Sequence, residues 1–370
     1  MQVLNNRLEK VVSENLINLI RPEIKQLAAY HVADASGLIK LDAMENPYAL
    51  PEELLDQLQK SFAATDLNRY PDPSAAALRQ QLRKTMKVPD DQTIVLGNGS
   101  DELIQMLAMA LAKPDACLMS FEPGFVMYQM IAKFTAINYV GVPLSEDFNL
   151  DMPATREAIK QHQPAVIFIA YPNNPSANLF NDAAIEEIIN IAPGLVVVDE
   201  AYHPFAQASF MSKLSLYKNL LVMRTVSKMG LAGLRLGLLC GEAGMINEVD
   251  KVRLPYNINV LTQTAGLCVL NNMDVLDQQA LIIRDQRAVV FEAMGAIDGL
   301  EVFPSQANFI LFRILNKPAN DIFESIKNAG VLIKNMKATE GVLANCLRVT
   351  IGKPEENRAF LNALALAMEK

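Results

Sequence analysis

From about residue 70 onward, short apolar runs alternate with longer stretches of helical period. The runs fall at 93–96, 116–120, 165–170, 195–199, 220–224 and 236–240, each bounded by Gly, Pro or Asn. Several are apolar throughout, as in Val196-Val197-Val198, which marks strands buried on both faces. Such strands alternating with helices predict an α/β domain with a mostly parallel sheet.

The two ends of the chain read differently. Residues 9–30 predict a helix with Val11, Val12, Leu16, Leu19 and Ile20 on one side, broken or restarted at Pro22. Ile39-Lys40-Leu41 then leads into the loop Glu45-Asn46-Pro47-Tyr48. Beyond Pro255 the text is helical to about residue 297. Strand candidates follow at 307–313, 331–334 and 347–350, and a closing helix at 354–368. The pattern predicts a large domain over residues 48–260. A smaller α+β domain would combine residues 1–47 with 261–370.

Charge narrows the function classes. Against 33 basic residues stand 41 acidic ones, a net charge of -8. A nucleic-acid binder usually presents a basic surface, so DNA and RNA are not expected partners. Cys117, Cys240, Cys268 and Cys346 lie far apart, and His31, His162 and His203 pair at no metal-ligand spacing. Free thiols in a reducing compartment, and no metal site, are the expectation. The N-terminus lacks the apolar core of a signal peptide, and no apolar run approaches a membrane span. A cytoplasmic protein with no membrane partner is therefore expected.

Four segments could carry chemistry. In Leu96-Gly97-Asn98-Gly99-Ser100-Asp101 a strand ends, glycines turn the chain and a helix begins. Backbone N–H groups at a helix start favour an anion such as phosphate, although a tight turn capped by Ser100 or Asp101 would use the same residues. Tyr171-Pro172-Asn173-Asn174-Pro175 follows a buried strand, at the edge where open α/β sheets bind ligands; a plain turn has the same composition. Asp199 follows three valines, and a carboxylate so placed must be solvated or paired. A metal or a cationic ring nitrogen could pair it, and the scarcity of histidine favours the ring nitrogen. Lys228 follows a strand among small and apolar residues, making it a candidate Schiff-base nucleophile. Thr225, Ser227 and Arg235 beside it suit a phosphate.

Taken in this order and spacing, the four segments resemble the fold-type I pyridoxal-phosphate enzymes of the aspartate aminotransferase superfamily, over nearly the whole chain. Four further phrases look like the histidinol-phosphate aminotransferase family. They are Lys40-Leu41-Asp42-Ala43-Met44-Glu45-Asn46-Pro47-Tyr48, Asn68-Arg69-Tyr70-Pro71-Asp72-Pro73, Asp199-Glu200-Ala201-Tyr202-His203-Pro204-Phe205 and Cys346-Leu347-Arg348-Val349-Thr350-Ile351-Gly352.

That resemblance implies a seven-stranded sheet between helices, a smaller α+β domain, and pyridoxal 5'-phosphate as cofactor. It implies that Lys228 binds the cofactor aldehyde and later shuttles a proton, and that Asp199 keeps the pyridinium nitrogen protonated. Tyr202 and Asn174 would bond the ring's 3′ oxygen, and Tyr128 would stack on the ring. The backbone at Ser100 and Asp101, with Thr225, Ser227 and Arg235, would hold the phosphate. Tyr70 would reach the cofactor phosphate of a partner subunit, so a homodimer with shared active sites is expected. Arg348 would clamp a carboxylate or phosphate, with Lys334, Asn46 and Tyr48 also on the substrate side. The expected reaction is ping-pong transamination between L-histidinol phosphate and 2-oxoglutarate, in histidine biosynthesis. An aromatic amino acid aminotransferase and threonine-phosphate decarboxylase are the related alternatives. Two departures stand out: Asn174-Pro175-Ser176-Ala177 where the usual phrase is Asn-Pro-Thr-Gly, and Lys334 where many relatives have arginine. His203 adjoins the site phrase but is not required as an acid or base.

Overall fold

A computed structural model describes residues 16–29 and 33–369. Its centre is a seven-stranded sheet: β2 (Thr93–Asn98), β3 (Cys117–Glu122), β4 (Asn138–Pro143), β5 (Val166–Ala170), β6 (Leu195–Asp199), β7 (Leu220–Thr225) and β8 (Leu236–Gly241), in the order β2-β8-β7-β6-β5-β3-β4. From β7 to β4 all neighbours are parallel, while β8 runs antiparallel to both β2 and β7. The strands β5, β6 and β7, apolar but for Asp199, Arg224 and Thr225 at their ends, are buried at every position. They have to be, because helices cover both faces of a parallel sheet. One apolar cluster lies on each face, one around Leu82, Phe180 and Leu238 and the other around Leu107, Phe168 and Leu221.

Six of these seven strands were legible as apolar runs; β4 was not. It pairs with β3 alone, at the edge of the sheet, and all but one of its residues are half-buried or exposed. An edge strand holding Asn138, Gly141 and Pro143 has no continuous apolar signature.

The second sheet is antiparallel and C-terminal: β9 (Leu300–Val302), β10 (Phe309–Ile314), β12 (Lys334–Asn335) and β13 (Cys346–Thr350), in the order β12-β13-β10-β9. The expected strand at 331–334 divides. Its first part, β11 (Val331–Leu332), pairs in parallel with β1 (Ile39–Lys40), and its last residue joins β12 beside β13. Switching sheets lets a short segment satisfy backbone groups on two neighbours. A third apolar cluster, with Phe309, Phe312 and Phe360, fills this region and includes Leu41 from the N-terminal segment.

The helical text after Pro255 becomes Val260–Leu270 and Met273–Gly295. The first is capped by Asn259, whose side chain accepts the Thr262 N–H, and packs on the helices Glu52–Ala63 and Ala76–Met86. Of the expected N-terminal helix, Val11 and Val12 lie outside the described residues, as does His31. The helix Pro22–Lys25 begins at the proline, and Leu16, Leu19 and Ile20 are exposed. Among the described residues no helix is long and apolar enough to cross a membrane, and no cluster of ligands could hold a metal.

Candidate active site

Strand direction gathers the four candidate segments at one edge of the large sheet. Asp199 is the last residue of β6, in register with Ala170 of β5 and Met223 of β7. Because β8 runs the other way, its first residue, Leu236, lies beside Asn98 at the end of β2, and Gly237 beside Thr225 at the end of β7. The loop from β7 to β8, carrying Lys228 and Arg235, therefore hangs over the same edge.

An anion cradle forms where β2 enters the helix Gly99–Leu111. Gly99 has φ +80, and a Cβ there would come within 2.8 Å of Arg235 Nη2. A Cβ on Gly237 would come within 2.9 Å of the Ser100 nitrogen. Glycine at both positions lets a guanidinium and a helix N-terminus converge without a methyl between them. Thr225 Oγ1 and Ser227 Oγ, 2.9 Å apart, add two hydroxyls, and Arg235 Nη2 lies 3.4 Å from Asp101 Oδ2. Glu102 reaches back to the Asn98 N–H at 2.7 Å, which secures the helix entry.

The acid is held differently. Asp199 is 4% exposed; Tyr128 donates to its Oδ2 at 2.8 Å and the Ala201 N–H to its Oδ1 at 3.1 Å. Burial pushes its pKa up to about 6, against the pull of those two bonds. No cation pairs with it among the described residues. A buried carboxylate with two hydrogen bonds and no counter-charge suits a cationic ring nitrogen.

Lys228 lies in the turn Ser227–Met229, with Nζ donating to the Ala43 carbonyl at 3.3 Å and 5.9 Å from the Tyr202 ring centre. Desolvation first, and then the positive charge of Arg348, lower its pKa to about 8. Asn174 Nδ2 donates to Tyr202 Oη at 3.2 Å, while its Oδ1 accepts from Arg348 Nη1 at 2.6 Å. Arg348 also donates to the Asp42 carbonyl at 3.0 Å and lies 5.2 Å from the Phe309 ring centre.

Ser100, Asp101, Asn174, Asp199, Tyr202, Thr225, Ser227, Lys228 and Arg235 line one cavity of about 400 Å³. Arg348 stands behind Asn174. The other expected residues fall elsewhere. Tyr128 does not stack over the cavity: one face of its ring is taken by Phe168 at 4.8 Å, and its hydroxyl is engaged by Asp199. Phe125, missed in the sequence, is the aromatic that lines the cavity. It lies three residues earlier in the same phrase, and composition gave no way to choose between the two rings. Asn46 does not reach the cavity either; its amide is bonded to Met229, Gln279 and Tyr48. Tyr48 lies against Lys353, 6.0 Å away, and Lys334 is exposed beside Arg348 on the small sheet. Tyr70 is 81% exposed, its ring stacked on Tyr256 at 4.4 Å. His203 faces a different cleft, half-buried and bonded to the Glu200 carbonyl at 3.2 Å. The departure at Ala177 places an alanine at φ +64, a conformation that costs an L-residue about 1 kcal/mol.

Fold and cavity together define a class, the pyridoxal-phosphate enzymes of fold type I. The family model described as aminotransferase class I and II matches residues 36–364. A histidinol-phosphate aminotransferase of Nitrosococcus oceani is 51% identical over 96% of this chain and 98% of its own length. One from Chromobacterium violaceum is 50% identical over 94% of this chain and 97% of its own. In fold, the chain matches histidinol-phosphate aminotransferase from Sinorhizobium meliloti, solved with pyridoxal-5'-phosphate, at TM-score 0.82 and 21% identity, covering 95% of this chain and 97% of that one. The chain belongs to the histidinol-phosphate aminotransferase family, within aminotransferase class I and II.

Proposed function

We propose that the enzyme transfers the amino group of L-histidinol phosphate to 2-oxoglutarate, giving imidazole acetol phosphate and L-glutamate, a step of histidine biosynthesis. The observation that carries this is the pairing, in one cavity, of a lysine lowered to about 8 with an uncompensated buried carboxylate beside an anion cradle. The substrate follows the names of relatives at 50–51% identity.

Roles follow from the geometry. Arg235, Ser227, Thr225 and the N–H groups of Ser100 and Asp101 would hold the cofactor phosphate. Asp199 would hold the ring nitrogen protonated, Tyr202 and Asn174 would bond the ring oxygen, and Phe125 would lie against the ring. Held there, pyridoxal phosphate supplies an aldehyde for the lysine and a cationic ring that accepts the electron pair left at the substrate α-carbon. Lys228 Nζ, with a pKa near 8, can take the proton from that carbon and return it near neutral pH. Arg348, held flat by Asn174 and the Asp42 carbonyl, would receive the carboxylate of glutamate or the phosphate of histidinol phosphate.

The reading extends to assembly. Tyr70 is exposed in a single chain and stacked on Tyr256, and Leu67 near the first and Leu254 near the second are exposed too, which supports a homodimer in which Tyr70 completes the partner's site. The buried free thiols Cys117, Cys240 and Cys346 agree with a cytoplasmic setting. A division into residues 48–260 and residues 1–47 with 261–370 belongs to the same proposal.

Steady-state comparison of histidinol phosphate, phenylalanine and tyrosine as donors tests the substrate. Histidinol phosphate should lead in kcat/KM; a lead of orders of magnitude for phenylalanine would overturn the assignment. Sedimentation at equilibrium should give twice the chain mass.

A further inference from the structure

Asn46 uses its whole side chain inside the protein. Its Nδ2 donates to the Met229 carbonyl at 3.0 Å and to Gln279 Oε1 at 2.9 Å, and its Oδ1 accepts the Tyr48 N–H at 2.9 Å. Gln279, only 8% exposed, donates from Nε2 to the Ala49 carbonyl at 3.0 Å. Met229 is the residue after Lys228. Gly230 follows at φ +118, and a Cβ there would lie 2.9 Å from Asn46 Nδ2. Glycine is what lets this amide reach the lysine's own turn.

The same short segment meets the lysine at both ends. Ala43, three residues before Asn46, accepts the bond from Lys228 Nζ at 3.3 Å. Gln279 sits in the helix Met273–Gly295, which contributes Leu276 to the core under the large sheet and Ala280 and Ile283 to the C-terminal core. One amide pair thus joins three parts: the turn that carries the amine, the segment 43–49 whose first three residues line the cavity, and the helix shared by both cores.

We propose that Asn46 and Gln279 are a positioning pair, which sets the place of the Lys228 amine and ties it to the placement of the two cores. Neither touches the cavity, so they act through the backbone of the lysine turn. This rests on Lys228 being the residue that binds the cofactor, and the test separates the two claims.

The test uses the holoenzyme. The absorbance of the bound cofactor is titrated with pH, without substrate, for wild type, Asn46→Ala, Gln279→Ala and the double variant. The midpoint should shift by about half a unit or more in each single variant. The double variant should shift no further than the larger single, because the pair acts as one unit. The kcat should fall about tenfold, with KM for the amino donor changed less. Asn46→Asp keeps the bond from Tyr48 and loses both donations, so it should shift the midpoint as alanine does; it serves if the alanine variant does not fold. Midpoints equal to wild type, with only a lower melting temperature, would reduce the pair to packing and overturn the proposal. Lys228→Ala reports on the other claim: if it kept the bound-cofactor absorbance, the assignment of the lysine itself would be wrong.

Discussion

The Tyr128 hydroxyl donates to Asp199 Oδ2 at 2.8 Å, and both groups are buried. The tyrosine's ring is stacked on Phe168 of β5. Its part is to hold the carboxylate that lines the cavity, and the bond favours the ionised form, the form that would pair with a cationic ring nitrogen.

Tyr128→Phe keeps the ring packing and removes that bond. Loss of a hydrogen bond to a buried charged group costs about 1.5–3 kcal/mol. Retention of pyridoxal phosphate should weaken about tenfold or more, measured as the cofactor dissociation constant by fluorescence titration. An unchanged constant would show that Asp199 is held without the tyrosine.

Asp199 also predicts a pH dependence of stability in the cofactor-free protein. Its folded pKa of about 6 stands above the ordinary 3.8, so the folded state binds this proton more tightly than the unfolded one. The stabilisation from this group is complete below about pH 4 and is lost as pH rises through about 6. The loss is of the order of 3 kcal/mol. Urea unfolding of wild type and Asp199→Asn at pH 4 and pH 7.5 should show the penalty growing in wild type alone.

Lys228 predicts the pH profile of cofactor uptake. An amine with pKa about 8 is roughly one-tenth neutral at pH 7, far more than an ordinary lysine. The rate at which cofactor-free protein captures pyridoxal phosphate, followed by absorbance, should rise with pH to a midpoint near 8. A midpoint near 10.5 would place the amine in water.

The anion cradle depends on glycine at position 99. Gly99→Ala would put a methyl 2.8 Å from Arg235 Nη2 on a backbone at φ +80, and should weaken cofactor binding by tenfold or more in rough terms. Gly295→Ala, with nothing within 4 Å of the new carbon, should leave cofactor binding unchanged. Equilibrium dialysis of both variants checks the contrast.

Position in the fold explains which elements could be read in advance. The strands β5, β6 and β7 are buried on both faces, so the body of each is apolar, with polar residues only at the last positions of β6 and β7, and one-dimensional text shows that. β4 lies at the edge, so nothing in its composition separates it from loop, and nothing in the run at 331–334 marks where it divides between β11 and β12. Within the site, Asp199 stood out because an acid directly after three valines must be solvated or paired, and Lys228 because it follows a strand among small and apolar residues.

By itself the sequence determined the alternation of strands and helices, the glycine turn into the Gly99 helix, and the residue types suited to a phosphate, a ring nitrogen and an aldehyde. These are local consequences of periodicity, backbone freedom and side-chain chemistry. Only the tertiary structure decided that Phe125, and not Tyr128, faces the cavity, and that Asn46 turns inward to Met229 and Gln279 while Lys334 turns out to solvent. The direction in which a side chain points depends on how distant elements pack around it. Phe168 and Gln279, which fix these choices, lie far along the chain from the residues they direct.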